Sequence, residues 1–126
     1  RQANFERQCK FFDNYSQYFL NPQETLGSNT AWLAFPVLIK EGAPFTRKEF
    51  QIFLEKRNIQ TRVVFTGNIL RQAMCQNISK KVLKEGYPNA DRVMAKGVLL
   101  PLHHGMTESM FNRLHTTIHE FTEQYE

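Results

Sequence analysis

The stretch of sequence that decides the fold is residues 61–72, TRVVFTGNILRQ, where an extended segment runs into a tight turn. Ile59 to Phe65 is rich in β-branched and aromatic side chains, a composition that predicts a β-strand. Thr66-Gly67-Asn68 then breaks the strand, because glycine and asparagine accept turn conformations that other residues resist. Residues 69–76 are predicted to be a loop or a single turn.

This turn carries groups that suit a ligand. Gly67 allows the backbone to come close to a bound molecule, and Asn68 offers a side-chain amide. Arg62 and Arg71 flank the turn, and guanidinium groups bind phosphate or carboxylate oxygens well. The alternative is a plain turn with two surface arginines, and the residues alone favour neither interpretation.

Residues 1–20 are predicted to form a helix with an unusually wide aromatic face. Its apolar and aromatic side chains recur at the three- and four-residue steps of a helix and form two adjacent stripes. The first stripe is Phe5, Cys9, Phe12 and Phe19, and the second is Phe11, Tyr15 and Tyr18. One neighbour seldom covers so broad a face. We therefore expect an interdomain helix that contacts both this domain and a missing one.

Two elements precede the decisive stretch. Trp32 to Lys40 is a nearly continuous apolar run and predicts a strand, at an edge or with a bulge because Pro36 cannot donate a hydrogen bond. Thr46 and Glu49 form a capping box at the start of the next helix, and Asn58 suits the left-handed position that ends it.

The rest of the chain completes a small sandwich. We expect a short helix over 77–85, a helix from Asn89 to Gly97, a strand over Val98 to Leu102 and a last helix capped by Thr107. About three strands covered by helices predict a two-layer α/β (α+β) sandwich over 32–126. With 126 residues, the chain is one domain.

Composition excludes several function classes. The net charge of +4 comes from scattered basic residues, which argues against a nucleic-acid surface. No apolar run approaches the roughly 20 residues that span a bilayer, so we expect no membrane contact. Cys9 and Cys75 form no CxxC motif and are interpreted as reduced thiols in a cytoplasmic protein.

Four histidines fall in two pairs. His115 and His119 share one side of the last helix, but Thr116 stands where a zinc-protease motif has glutamate, so we expect no metal and no catalytic residue. His103 and His104 follow the last strand, a common position for ligand contacts, where one of them could face a ligand.

The combination resembles the DegT/DnrJ/EryC1/StrS family. Thr61-Arg62, Gly67-Asn68 and Arg71-Gln72 are similar to its TR…GN…RQ-P segment, with Ala73 in place of the usual proline. The late helix and "LP" strand of the family are similar to residues 87–94 and 97–101. The strand that opens the family's C-terminal domain is similar to residues 32–36.

The resemblance implies the small C-terminal domain of a type I aminotransferase fold. Such enzymes use pyridoxal phosphate on nucleotide-linked deoxysugars, act as homodimers and serve lipopolysaccharide-type pathways. The motifs for the cofactor lysine, or the histidine of some dehydrases, do not occur here, so the N-terminal cofactor domain is expected to be absent and this piece inactive alone. The implied substrate contacts are Arg62, Gly67, Asn68, Arg71, His103 and His104.

A second hypothesis is a free-standing regulatory α/β module that binds a small molecule. Such a module would begin at its own capped element and bury its apolar surface by itself. The uncapped first helix and its wide aromatic face favour the enzyme piece instead. The residues present do not distinguish transamination from dehydration.

Overall fold

The computed structural model describes residues 1–126 as four helices and four strands. The helices are α1 Gln2–Asp13, α2 Arg47–Glu55, α3 Pro88–Lys96 and α4 Glu108–Thr122. The strands are β1 Phe19–Leu20, β2 Phe35–Ile39, β3 Arg62–Val63 and β4 Gly97–Leu100. Short 3₁₀ turns occupy Ile69–Arg71, Ala73–Cys75 and Glu123–Tyr125. No helix has the length and apolar character needed to cross a bilayer.

The strands form one antiparallel sheet in the order β1-β2-β4-β3. Alternate residues of β2 are buried, and every residue of β4 except Leu99 is buried. Val37 lies opposite Val98 on the core side of the sheet. Helices α1, α2 and α4 supply the aromatic and aliphatic side chains that complete this core. The predicted α+β sandwich is therefore confirmed, with four strands in place of three.

Pro36 lies in an interior strand and not at an edge. Lys40 N donates to Tyr18 O at 2.8 Å, so by the two-residue alternation of a strand the nitrogen of Pro36 faces the β1 side as well. However, β1 ends at Leu20, which pairs with Leu38. No residue of β1 therefore lies opposite Pro36 to accept a hydrogen bond from its nitrogen. Pro22 lines the same small apolar hollow beside it.

The capping predictions are confirmed. Thr46 accepts from Glu49 N at 3.2 Å, and the Glu49 carboxylate accepts from Thr46 N at 2.7 Å, which fixes the start of α2. Asn58 has a φ of 58°, as the end of that helix requires. Thr107 accepts from Met110 N at the start of α4.

The prediction of one helix over 1–20 is wrong beyond Asp13. Asn14 Nδ2 donates to the carbonyl oxygens of Lys10 and Phe11, which satisfies the last turn and ends α1. The chain then turns and enters β1 at Phe19, which is buried in the core. Tyr15 reaches His119 of α4, so α4 covers much of the wide aromatic face.

Two further boundaries differ from prediction. The predicted strand over Ile59 to Phe65 pairs only at β3, because Thr61 N donates to the Glu55 carboxylate and Phe65 adopts a φ of 47°. The predicted helix over 77–85 does not form. Its apolar side chains Ile78 and Val82 are half exposed. A helix there would therefore lack the packing contacts that stabilise short helices in proteins.

Candidate functional site

Asp91 organises the loop that follows β3. Arg71 binds its carboxylate with two parallel hydrogen bonds, from Nε at 2.9 Å and from Nη2 at 2.8 Å. Asn68 Nδ2 donates to the same carboxylate at 2.9 Å, while its Oδ1 accepts from Leu70 N at 3.0 Å. The first turn of α3 thus fixes both ends of the segment 68–71.

The negative charge of Asp91 is balanced by the positive charge of Arg71. The hydrogen bonds from Arg71 and Asn68 lower the pKa of Asp91 from 3.8 to about 2, so the carboxylate is ionised at neutral pH. Arg71 keeps a side chain that is 64% exposed, and Nη1 makes no hydrogen bond to the protein. Arg71 is therefore a structural partner of Asp91 with one face still open to solvent.

Gly67 is packed against α3. Its φ is 66°, and a Cβ atom at this position would lie 2.2 Å from the Cβ of Met94 and 2.7 Å from its Cα. The glycine is thus required by its own backbone conformation and by the approach of the helix. The sequence predicted that Gly67 lets a ligand come close to the backbone, whereas the group that lies against it in the structure is Met94 of α3.

The loop borders a groove of about 340 Å³. Phe65 and Gly67 line it from the loop, and Arg47 and Met94 line it from the helices. Arg47 Nη1 donates to Met94 O, which ties α2 to α3 across the groove. Gln72 Nε2 donates to Thr66 O at 3.0 Å and closes the loop on itself.

Arg62 lies apart from the Asp91 cluster, on the exposed edge strand. It pairs through its backbone with Leu99. Its guanidinium donates to Thr61 O at 3.5 Å and, with the Gln60 amide oriented to satisfy both of its atoms, to the Gln60 side-chain oxygen at 2.9 and 3.1 Å. No carboxylate forms an ion pair with it. Arg62 is therefore an exposed cation without an ion-pair partner.

The two histidines after β4 lie at the other end of the β3–β4 pair. Val63 pairs with Val98, so the chain after β3 runs towards the start of β4, whereas His103 and His104 follow its end. His103 Nδ1 accepts from Gly105 N at 3.1 Å, and its carbonyl accepts from Asn4 Nδ2 at 2.8 Å. The six predicted residues thus occupy three separate places: the Asp91 cluster, the edge strand β3 and the loop after β4.

The other histidine pair joins α4 to α1. His115 contacts buried Gln8, and His119 Nδ1 lies 2.9 Å from the Tyr15 hydroxyl. No three His, Cys, Asp or Glu side chains in the chain converge as a metal-binding group.

Sequence reasoning missed three residues around the loop: Asp91, Arg47 and Phe65. Asp91 leaves no signal in the sequence pattern, because its contact with Arg71 spans 20 residues. Arg47 lies between the two residues of the capping box, a pattern that does not concern its side chain. An aromatic residue directly before a Thr-Gly-Asn turn was the one available clue to Phe65.

Solved structures share this fold. The chain superposes on an aminotransferase from Psychrobacter cryohalolentis with a TM-score of 0.81, over 98% of this chain and 33% of that one, at 13% identity. An E. coli GDP-4-keto-6-deoxy-D-mannose-3-dehydratase with bound hydrated PLP matches with a TM-score of 0.74, over 91% and 30%, at 20% identity. The chain therefore has the fold of about one third of each of these two proteins.

Comparison of the amino-acid sequence identifies the family of the chain. The model of the DegT/DnrJ/EryC1/StrS aminotransferase family matches residues 1–119, and the chain belongs to that family. It is 29% identical over 121 residues to lipopolysaccharide biosynthesis protein RfbH of Salmonella typhimurium, covering 96% of this chain and 28% of that protein. It is 32% identical over 102 residues to a dTDP-4-dehydro-2,6-dideoxy-D-glucose 3-dehydratase of Saccharopolyspora spinosa, covering 81% and 22%. The chain thus spans about a quarter of the length of these relatives.

The residues present do not form a pyridoxal phosphate site. Such a site pairs the pyridine nitrogen with an aspartate, and the chain has two aspartates. Asp91 is bound by Arg71 and Asn68, and Asp13 accepts from Asn21 Nδ2 at 2.8 Å. Both aspartates therefore already have partners within the chain.

Proposed function

We propose that this chain is the small-domain part of a pyridoxal-phosphate-dependent enzyme that aminates or dehydrates a nucleotide-linked sugar. The family match over residues 1–119 supports this function. The observation that carries it is the loop 61–72, which bears the residues of the resemblance and is fixed in one shape by Asp91. A loop with a fixed shape can position a substrate without first losing conformational freedom.

In this proposal some loop residues supply charge to the substrate and others set the shape of the loop. Arg62 and the open face of Arg71 supply positive charge for an anionic group of the substrate, while Gly67 and Asn68 set the shape of the backbone around it. His103 and His104 lie beyond the far end of β4, so they would contact a different part of the substrate or the second subunit of a homodimer.

The cofactor belongs to the rest of the enzyme in this proposal. Pyridoxal phosphate supplies the electron sink for the reaction, and the aspartates of this chain are already committed to protein partners. The chain alone would then be inactive, and the complete enzyme would work in the cytoplasm. Its own residues would bind and orient the substrate.

One observation favours the second candidate, a free-standing ligand-binding module. The core cluster of 17 buried residues includes Phe5, Phe12 and Tyr15 of the first segment, so the chain covers that face itself. A module with a closed core can fold without another domain. This candidate predicts small-molecule binding with no cofactor in the protein that contains the chain.

The cofactor provides the first test. The natural protein that contains this chain should be purified, reduced with borohydride and mapped by mass spectrometry, with bound pyridoxal phosphate measured in parallel. We expect stoichiometric cofactor and, where a lysine adduct forms, an adduct outside residues 1–126. A protein without cofactor, or an adduct on a lysine of this chain, would contradict the proposal.

Arg62 provides the second test, in the same complete protein. Arg62→Ala should raise the KM for the nucleotide-linked sugar roughly tenfold or more, because a charge-assisted hydrogen bond to a phosphate would be lost. The melting temperature should not change, since Arg62 forms no ion pair. Lys10→Ala, on the exposed face of α1, is the matched control. An unchanged KM with Arg62→Ala would remove the residue from the site.

A further inference from the structure

The outer side of α2 carries two lysines with an isoleucine between them. Lys48, Ile52 and Lys56 follow one another at four-residue steps, so their side chains lie in line on one side of the helix. All three are exposed, Ile52 at 43%. The core side of α2 is formed instead by Phe50 and Leu54, which are completely buried. The basic stripe Lys48-Ile52-Lys56 therefore takes no part in closing the core.

A groove of about 570 Å³ separates this basic stripe from the edge strand β3. Its floor is made by Thr61, whose backbone N donates to the Glu55 carboxylate at 2.6 Å and whose hydroxyl accepts from Gln51 Nε2 at 3.0 Å. At the other end of the helix, Arg47 lies beside Val63. The helix and the strand therefore run alongside each other in opposite directions, with the groove between them.

The outer edge of β3 has no strand partner. In the sheet order β1-β2-β4-β3 it is the last strand, and Arg62 pairs with Leu99 on its inner side. Because Thr61 N faces outwards to α2, strand alternation directs the N–H and C=O of Val63 outwards as well. The side chain of Val63 is 45% exposed. An extended chain laid in the groove could therefore form backbone hydrogen bonds with this edge.

The positive charges along the groove are not balanced within the chain. Arg47, Lys48 and Lys56 form no ion pair. The one carboxylate among the lining residues is that of Glu55, and it accepts from both the backbone N and the hydroxyl of Thr61, at 2.6 and 2.9 Å. Acidic side chains on a partner would supply the missing charge and fix the register of the partner.

The spacing of the basic stripe favours an extended polypeptide over a compact anion. Lys48 and Lys56 are eight residues apart, which is about 12 Å along a helix that rises about 1.5 Å per residue. A single phosphate or carboxylate group cannot contact both. In a strand, side chains on one face recur about every 6.6 Å, close to the step of about 6 Å between successive residues of the stripe.

We propose that this groove docks an extended acidic segment of a partner protein, with the pattern acidic-x-aliphatic-x-acidic. The two carboxylates bind Lys48 and Lys56, the aliphatic side chain packs on Ile52, and the backbone adds to the edge of β3. No two acidic residues of this chain are four apart, so a second copy of the chain cannot supply the segment. The inference goes beyond the proposed function, because the stripe lies outside the loop assigned to the substrate.

The binding test uses the natural protein that contains this chain and a fluorescent capped peptide, Ser-Glu-Ser-Val-Thr-Glu-Ser, followed by fluorescence anisotropy. We expect it to bind at least tenfold more tightly than an isomer of the same composition in which the two glutamates are adjacent. Absence of binding, or equal affinity for the two peptides, would overturn the proposal. Displacement by single-stranded oligothymidylate as effective as by unlabelled peptide would show a general polyanion surface, which also contradicts it.

Variants of the stripe locate the peptide. The double variant Lys48→Gln, Lys56→Gln should weaken peptide binding at least tenfold. The matched control Lys10→Gln, Lys84→Gln removes two exposed lysines outside the groove and should leave the affinity unchanged. Equal effects of the two double variants would remove the peptide from this groove. Melting temperature and bound pyridoxal phosphate should be the same in both, since none of the four lysines forms part of the core or of the loop 61–72.

The contact with β3 is tested on the peptide itself. N-methyl groups on its three central residues remove the backbone donors needed for strand addition and leave the side chains in place. We expect the methylated peptide to bind at least fivefold more weakly. Ile52→Ser should likewise weaken the unmodified peptide several-fold, because the aliphatic side chain loses its apolar contact. Full affinity of the methylated peptide would overturn strand addition, and full affinity of Ile52→Ser would overturn the register.

Discussion

Phe11 and His115 stack face to face between α1 and α4, with ring centroids 3.8 Å apart and planes inclined by 4°. His115 Nε2 lies 2.6 Å from Oε1 of Gln8, which is completely buried. Burial, and secondly the charge of Arg7, lower the pKa of His115 from 6.5 to about 4. The joint between the two helices is therefore built around a neutral imidazole.

This joint predicts that the fold already loses stability as the pH falls from 6.5 towards about 4. In the pH window from 6.5 down to about 4 the unfolded chain binds a proton on His115 that the folded chain does not, so stability falls with pH. Between pH 7 and 5 we expect a loss of about 1 kcal/mol, a figure reduced for the partial exposure of the ring. Urea unfolding at both pH values measures it.

The matched variants for this prediction are His115→Gln and His104→Gln. The first should remove the pH dependence in that window, because the imidazole whose pKa is lowered by burial is gone. The second changes an exposed histidine and should preserve the dependence. Identical slopes in the two variants would show that another group is responsible.

Asp91 predicts a second, lower pH window. Its pKa is lowered to about 2, so its contribution to stability is complete above the ordinary value near 3.8 and is lost as the pH falls through 2. Arg71→Ala should raise the pKa of Asp91 towards the ordinary value, because the two hydrogen bonds from the guanidinium are lost. Carboxyl NMR titration of Asp91 in both proteins measures the shift. Coincident titration curves would mean that Arg71 does not bind Asp91 in solution.

Gly67 can be compared with Gly42, which has a similar conformation in open space. Their φ angles are 66° and 81°, but a Cβ would touch Met94 only at Gly67. Gly42→Ala should lower the free energy of unfolding by about 1 kcal/mol, the cost of the left-handed conformation. Gly67→Ala should cost about 2–4 kcal/mol, because overpacking is added. Chemical denaturation of the two variants tests the difference, and equal costs would show that α3 moves away freely.

Phe12 and Phe65 receive opposite predictions for the same substitution. Phe12 is 1% exposed and packs on Phe19 and Phe35, so Phe12→Ala should lower the free energy of unfolding by about 3–5 kcal/mol. Phe65 is almost fully exposed, so Phe65→Ala should change it by about 0.5 kcal/mol or less. Thermal and urea unfolding distinguish the two. A large loss at Phe65 would mean that its ring is buried in solution.

Local chemistry made part of this fold predictable from sequence. The capping box at Thr46, the left-handed Asn58 and the Thr107 cap all depend on residues within four positions of one another. The apolar stripe of α4 is equally local, since residues three and four apart share a helix face. For these features the neighbours in sequence are also the neighbours in space.

The remaining features depend on contacts that sequence spacing does not encode. α1 stops early because Asn14 turns its side chain back on the helix, although the aromatic pattern continues to Phe19. The segment 77–85 has helical periodicity, but no surface of the chain packs against it. In the site, the bond between Arg71 and Asp91 joins two elements 20 residues apart.

The prolines beside β1 also affect how the molecule meets its own copies. Beyond Leu20, β2 has no strand partner on its β1 side, and there Pro36 offers no N–H group, with Pro22 next to it. A strand from another molecule that approached this side could not form a backbone hydrogen bond at Pro36. The sheet is therefore guarded on this flank against edge-to-edge aggregation, at the cost of one backbone donor.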